Sequence, residues 1–421
     1  MRKLALVALL LLPTAARAVG LPELLAASEE QNLDRRISAE QRAKSAQELA
    51  QAWAGLLPFL TVQGSYTYNQ RPVEVGPFAP GGDPVVITPQ DQLDAVGRLE
   101  LPLVDAARWV RIDATSSADE AAGLRDQVVR DSVRRQVAST YYGFAAALAV
   151  REAAQRSLGV AEAQEKLQEI RLAAGAATEL EVLRARAEVE RSRQTVAETV
   201  ALVAISRRSL VTLTGLDPEE GAKLPEDVLT PDATLEELEG KAPALPAVAA
   251  ARKEAEVADS LASASRLALL PSVSAHFTER LTNATGFSGD NDSYTTGLLL
   301  TWRLDAPTYF AGSAQRSVSG AASLVAEKQR LTARDQLFAD WQRLTTAIQK
   351  VGAASAQVEA ARRAAQVTRD RYDAGAATQT DVIQGERDLF AAEVNQIQAR
   401  TELASSHVAL RISAGLPPLV D

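Results

Sequence analysis

RLAAGAATELEVL (171–183) and RYDAGAATQTDVI (371–383) share the five residues AGAAT, at 174–178 and again at 374–378. Each copy interrupts a stretch that otherwise reads as a very long helix. Gly175 and Gly375 permit the left-handed backbone that a tight helix reversal needs. Thr178 and Thr378 are placed to cap the returning helices. Glu181 and Asp381 follow three residues later, at capping-box spacing, although aspartate is short for that role. A chain that reverses twice in the same way, two hundred residues apart, is built from two copies of one unit.

Other matches between the halves support this. LVTLTGLDP (210–218) aligns with LRISAGLPP (410–418), and LLP at 56–58 recurs at 269–271. LELPLVDA (99–106) resembles LTWRLDA (300–306) with one residue fewer. The offset at LLP is larger, which places the first unit's surplus in NQRPVEVGPFAPGGDPVVITPQDQ (69–92), rich in Pro and Gly. That segment is expected as a long exposed loop. The units run over 19–218 and 232–421, joined by a polar, proline-marked linker at 219–231.

After each LLP the hydrophobic period becomes two. Leu60, Val62, Gly64, Tyr66 and Tyr68 alternate with Thr61, Gln63, Ser65, Thr67 and Asn69, and Leu93, Ala95, Gly97, Leu99 and Leu101 with Asp94, Val96, Arg98 and Glu100. In the second unit Val273, Ala275 and Phe277 oppose Ser272, Ser274, His276 and Thr278. There Leu298, Leu300, Trp302 and Leu304 oppose Thr301 and Arg303. The one-residue gap keeps Leu99 and Leu101 on the face of Leu300 and Trp302. Each unit therefore supplies one two-stranded hairpin.

The remainder is helical. From 108 to 172 there is no proline, and Val133, Val137, Tyr141, Phe144 and Leu148 step by four, four, three and four, a coiled-coil-like stripe. Such a helix would reach about 100 Å at 1.5 Å per residue, and the helices expected at 179–213, 33–55 and 246–269 about 52, 35 and 35 Å. The two shorter pieces stacked end to end nearly match the long one, as in a tall cylinder with a joint partway along. The fold class is mainly α with a small β part: long antiparallel helical hairpins and four strands per chain.

The N-terminus reads as a signal peptide over 1–18. Arg2 and Lys3 precede the apolar run Leu4 to Leu12, and Ala16-Arg17-Ala18 is an A-x-A cleavage site. Its loss takes the formal charge from −9 to −12, an acidic balance that argues against nucleic acid as partner. Cysteine is absent and there are two histidines, His276 and His407. Disulfides, a lipidated cysteine and a histidine or thiolate metal cluster are therefore excluded.

An exported chain with four amphipathic strands and no apolar helix faces a physical problem. Four strands cannot close, and an open edge in lipid leaves backbone groups unsatisfied. Strands of about ten residues with alternating faces fit an outer-membrane barrel. Two chains would give eight strands, whose interior side chains fill, so a conducting pore needs at least three.

The duplicated helix–hairpin–helix units, LLP before the first strand, LVDA (103–106) and RLDA (303–306) after the second, and RYDAGAATQTDV resemble the TolC-like outer-membrane efflux proteins over essentially the whole mature chain. The resemblance implies a homotrimer with a twelve-stranded β-barrel in outer-membrane lipid and a twelve-helix α-barrel crossing the periplasm. It implies a passive exit duct, joined to an inner-membrane transporter by a periplasmic adaptor. The AGAAT turns, with Gly175, Thr178, Gly375 and Thr378, become the periplasmic tip. Arg171, Leu172, Arg371 and Tyr372 beside them help hold it closed and face the adaptor. Asp381, with Glu181 as its counterpart, falls on the acidic ring of the constriction, and three chains would bring six carboxylates together, raising some pKa values. The family often has a second acid one turn on, where this chain has Gln384. Tyr66, Tyr68, Trp109 and Trp302 are candidates for the membrane-interface aromatics, and His276 for a lumen-facing polar residue.

Three other readings are weaker. An enzyme would need a phosphate loop, a nucleophile constellation or a metal set, and no cofactor signal is present. A periplasmic adaptor also uses long helical hairpins, but a single one, with compact β-domains. A coiled-coil surface protein would leave the alternating strands unexplained.

Overall fold

The computed structural model describes residues 19–76 and 81–419; the expected signal peptide at 1–18 and residues 77–80 lie outside them. In order, the elements are α1 (Leu21–Gln31), α2 (Leu33–Ala54), β1 (Phe59–Tyr68), β2 (Val73–Val75), β3 (Val85–Thr88), β4 (Asp91–Val104), α3 (Ala106–Ala173) and α4 (Glu179–Thr214). There follow α5 (Leu235–Lys241), a 3₁₀ turn (Ala242–Ala244), α6 (Pro246–Leu267), β5 (Ser272–Thr282), β6 (Asp292–Thr301), α7 (Ala306–Asp373) and α8 (Gln379–Ser413). Helices α3 and α7 are both 68 residues long, and α2 and α6 both 22.

The LVDA and RLDA motifs have a local physical role. The carboxylates of Asp105 and Asp305 accept from the backbone N–H of Arg108 at 2.9 Å and of Thr308 at 2.8 Å. Each aspartate thus satisfies an orphan donor at the start of a long helix. With no proline beyond the first turn, each helix then runs unbroken to its AGAAT turn.

The chain forms two compact units, and each draws on both sequence halves. Among the described residues, one comprises 19–39, Asp126–Pro246 and 330–419. Its core contains the stripe expected from the sequence, Val133, Val137, Tyr141, Phe144 and Leu148, packed with Leu24, Leu210 and Val408. A second cluster uses the matching stretch of α7, with Leu337, Leu344 and Val351 at heptad spacing beside Leu238 and Leu403. Phe144 is fully buried. Phe144→Ala is expected to cost about 3–5 kcal/mol, read as a lowered urea midpoint of the purified protein. The segment between α4 and α5 is strapped to α8: Arg400 meets Asp227 at 2.8 Å, the His407 ring meets the Val228 carbonyl at 2.7 Å, and Arg411 meets Asp232 at 2.5 Å. His407 is thereby a structural residue.

The other unit comprises Glu40–Arg125 and Ala247–Gln329. It holds a four-stranded antiparallel sheet of order β1-β4-β5-β6. The hairpins of the two halves pair side by side through β4 and β5, leaving β1 and β6 as edges. The segment 69–92 differs from the plain loop expected of it. Strands β2 and β3 pair into a separate two-stranded ribbon, with Val75 opposite Val85. Pro and Gly clustering marked the turn ends of this segment and hid the β-branched runs VEV and VVIT between them.

Candidate functional site

The two AGAAT turns have the same geometry. Gly175 and Gly375 adopt φ of +72° and +74°. Ala176 N–H donates to the Arg171 carbonyl at 2.7 Å and Gly175 N–H to that of Leu172 at 2.9 Å. Ala376 and Gly375 repeat this onto Arg371 and Tyr372 at 2.7 and 3.0 Å. These are Schellman closures, in which a left-handed residue lets the chain satisfy the last carbonyls of the helix it leaves. A Cβ on either glycine would meet open space, so a side chain there is opposed by backbone conformation alone. Gly375→Val is expected to destabilise by about 1–2 kcal/mol, again read in urea unfolding.

On the returning side both capping boxes are complete. Thr178 N–H donates to Glu181 Oε2 at 2.6 Å and Thr378 N–H to Asp381 Oδ2 at 2.8 Å. The Glu181 and Asp381 amides donate back to the threonine hydroxyls at 3.3 Å. The aspartate, short as it is, reaches its cap. Hydrogen bonds from the Thr178 backbone and then its hydroxyl hold the Glu181 carboxyl below its usual value, and those from Thr378 do the same for Asp381. At the tip Asp381 is exposed and Glu181 half-buried. Gln384 donates to Asp388 at 2.8 Å. Asp388, which sequence reasoning passed over, is an exposed acid seven residues, two turns, beyond Asp381 and on its face of α8.

The tips of the two halves come together. Tyr372 donates its hydroxyl to Gln168 at 3.1 Å, while the Arg171 guanidinium lies 4.8 Å from the Tyr372 ring centroid and pairs with Asp373 at 3.1 Å. Arg371 donates instead to the Ala376 carbonyl of its own turn at 3.3 Å. Farther into α4 and α8, Gln379 donates to the Glu181 carbonyl at 2.8 Å and Arg184 to the Thr380 hydroxyl at 3.2 Å. Behind these, Arg387 forms a bidentate pair with Glu188. Gln168 and Glu188 lie inside unbroken helical pattern, where no local signal separates them from other polar positions.

The register fixes the two faces of the sheet. Leu60, Leu99, Phe277 and Thr296 share one row, and Leu101, Ala275 and Leu298 another, on the same face. Thr61, Arg98, Thr278 and Thr295 lie on the opposite face, as do Asp94, Arg280, Glu100 and His276. The one-residue gap between the halves thus keeps both apolar sets on one side. Asp94 and Arg280 form an ion pair at 2.6 Å on the polar face. The His276 ring rests over Gly297, where a Cβ would come within 3.1 Å of it. The apolar face is bare in the single chain, with Val62 and Leu298 each 72% exposed.

Aromatic side chains stand at both ends of this face. Toward the β1–β4 turn are Tyr66 and Tyr68, their hydroxyls bonded to Asp91 and Gln90 at 2.7 Å. Tyr294 is at the corresponding end of β6, stacked on Phe277 with centroids 6.0 Å apart. At the other end, Trp109 meets Trp53 edge to face at 6.0 Å, and Trp302 donates to the Leu269 carbonyl at 3.0 Å. Tyr309 and Phe310, also exposed, meet edge to face at 5.6 Å in the first turns of α7. Trp53, Tyr294, Tyr309 and Phe310 were not singled out in the sequence: Tyr294 lies in β6 ahead of the alternating run read at 298–304, and the other three lie in helices.

Among the described residues, no helix is long and apolar enough to cross a membrane, and no group of His, Asp and Glu could hold a metal ion.

A family model described as outer membrane efflux protein matches residues 25–216 and 244–416. No curated protein matches the chain significantly. Among solved structures, the fold is similar to that of CusC at 15% identity, with a TM-score of 0.80 and coverage of 95% of this chain and 93% of that one. It is similar to the outer-membrane channel OprN at 21% identity, TM-score 0.79, covering 94% and 90%. It is similar also to the Campylobacter jejuni outer membrane channel CmeC at 17% identity, TM-score 0.78, covering 95% and 87%.

Proposed function

Because the chain belongs to the outer membrane efflux protein family, it is an efflux channel of the outer membrane that extends into the periplasm, not a periplasmic adaptor, and we propose that it works as a homotrimer. The observation that carries the assembly is the sheet with two unpaired edges and a bare apolar face. An edge strand with free N–H and C=O groups is untenable in hydrocarbon. Strand β1 of one copy and β6 of the next run in opposite directions and can pair as β4 and β5 do within the chain. Three copies close twelve strands, with the apolar face toward lipid and the Asp94–Arg280 face toward water. Tyr66, Tyr68 and Tyr294 then mark one membrane boundary, and Trp53, Trp109, Trp302, Tyr309 and Phe310 the other.

The two matched segments and the equal helix lengths support tandem repeats at 19–218 and 232–421, with 219–231 as the linker. The long hairpins of three chains would form a periplasmic α-barrel whose narrow end is the ring of AGAAT tips. Glu181 and Asp381, and beyond them Gln384 and Asp388, line the constriction and favour cations. The turns, with Gly175, Thr178, Gly375, Thr378, Arg371 and Tyr372, meet a periplasmic adaptor. The channel performs no catalysis and needs no cofactor; the energy for export comes from an inner-membrane transporter.

The test is mass and conductance together. Protein extracted in detergent is expected to have the mass of three chains and to give discrete conductance steps in planar bilayers. A monomer that stays soluble without detergent and never inserts would sink the assembly.

A further inference from the structure

The free edges of the sheet, β1 and β6, match each other in hydrogen-bond phase as well as in side-chain face. Asn69, just past β1, donates its N–H to the Gln90 carbonyl at 2.7 Å, and the Asn291 carbonyl, just before β6, accepts from Thr282 at 2.8 Å. Backbone groups in an antiparallel ladder turn to alternate sides from one residue to the next. Odd-numbered residues of β1 and β6 therefore bond inward, to β4 and β5, and even-numbered ones leave N–H and C=O free at the edge. The even-numbered residues are also the apolar set, with Leu60, Val62 and Tyr66 on β1 and Tyr294, Leu298 and Leu300 on β6. Two independent constraints thus require even residues of β6 to meet even residues of β1 in the next copy.

Closure selects which even residues meet. The row Leu60, Leu99, Phe277 and Thr296 leads across one chain. With Thr296 opposite Tyr66 of the next copy, the row has advanced six residues, about 20 Å, over four strand spacings, about 19 Å. The strands then tilt by about 45°, as membrane-spanning strands of about ten residues do. Gly64 in that place gives a tilt of about 35°, and Tyr68 about 54°, beyond the range of membrane barrels. The Gly64 register sets Trp302 against Pro58, which has no N–H to give, so pairing would stop at Thr301. The Tyr66 register sets Trp302 and Arg303 against Leu60 and Phe59. Strand β6 then gains the extra length that β4, its counterpart in the first half, already has through pairing with β5 as far as Val104.

We propose that β6 of one copy joins β1 of the next with Tyr294 opposite Tyr68, Thr296 opposite Tyr66, Leu300 opposite Val62 and Trp302 opposite Leu60. This rests on the reading of the chain as a trimeric barrel and fixes how that barrel closes. All ten residues of β1 are then paired on both sides. On the lipid face Tyr294, Tyr68 and Tyr66 run together across each joint. On the water face Thr295 meets Thr67 and Thr301 meets Thr61, favourable cross-strand pairs.

The chain has no cysteine, so introduced thiols can bond only to each other. Thr67→Cys with Thr295→Cys, and separately Thr61→Cys with Thr301→Cys, place thiols at non-hydrogen-bonded sites of the joint, with Cα atoms about 4.5 Å apart and within disulfide reach. Within one chain these positions are three strands, about 14 Å, apart, so any bond links two copies. Ser65→Cys with Thr295→Cys and Asn69→Cys with Thr295→Cys are offset by two residues in either direction. After oxidation in outer membranes, each matched pair is expected to give a three-chain band on a boiled, non-reducing gel, at least about fivefold stronger than either offset pair. A stronger band from an offset pair, or comparable bands from all, overturns the register. So does a trimer in which no pair becomes linked. Protein with the mass of one chain in detergent before oxidation would refute the trimer itself, an outcome distinct from a trimer joined in another register.

Discussion

Leu298→Arg is expected to abolish recovery of folded channel from the membrane, while Thr295→Arg, three residues away on the same strand, leaves yield and heat resistance near wild type. Leu298 shares its row with Ala275 and Leu101 on the apolar face. Thr295 stands opposite Thr278, which is opposite Arg98, on the face that also carries Asp94 and Arg280. Arginine on the lipid face of a barrel strand costs about 2–4 kcal/mol near the midplane and far less on the water-filled side. A trimer repeats the substitution three times, so the penalty is about 6–12 kcal/mol per assembly. That is comparable with the whole stability of about 5–15 kcal/mol typical of a folded protein. Outer-membrane yield and the heat-resistant oligomer band on a gel measure both variants. Equal behaviour of the two would mean that the faces are not sorted between lipid and water.

That contrast could be drawn from the sequence because a strand's side chains alternate strictly, so a string such as LTVQGSYTY declares its two faces without knowledge of its partners. The AGAAT turns were legible for a related reason: a helix reversal demands a left-handed residue and a cap, and glycine and threonine at that spacing are the chemistry that supplies them. The same held for the stripe at 133–148, whose every member is buried. What stayed hidden depends on contacts between distant segments. Nothing around Gln168 or Glu188 in the sequence points to Tyr372, 204 residues on, or to Arg387, 199 residues on. On a long helix a polar residue that faces another hairpin has the same local pattern as one that faces water. The ribbon β2–β3 was hidden differently. Its strands are three and four residues long, too short for period-two alternation to emerge against the prolines and glycines around them.

Asp381→Asn separates the two roles open to that carboxylate. In the chain its oxygen accepts from the Thr378 amide and hydroxyl at 2.8 and 2.7 Å, completing the helix cap. An asparagine keeps an oxygen acceptor of the same reach and removes the charge. The variant is therefore expected to keep its unfolding midpoint while losing much of the cation preference measured in salt gradients across a planar bilayer. Asp381→Ala would lose both. If Asn leaves selectivity untouched, the aspartate is a helix-end residue and the constriction draws its charge from elsewhere, with Glu181 and Asp388 next in line. The pH dependence carries a definite sign. The cap lowers the carboxyl below its usual value, so its contribution to stability is present above the unfolded value and disappears as pH falls through the depressed folded value. Crowding by carboxylates from other chains works in the opposite direction, raising the value. With the cap formed within each chain, cation preference is expected to hold through neutral and mildly acidic pH and to fade only below the ordinary carboxylate range. Its loss at higher pH would mean that repulsion around the ring outweighs the cap, and would place the Asp381 side chains of the three copies close together.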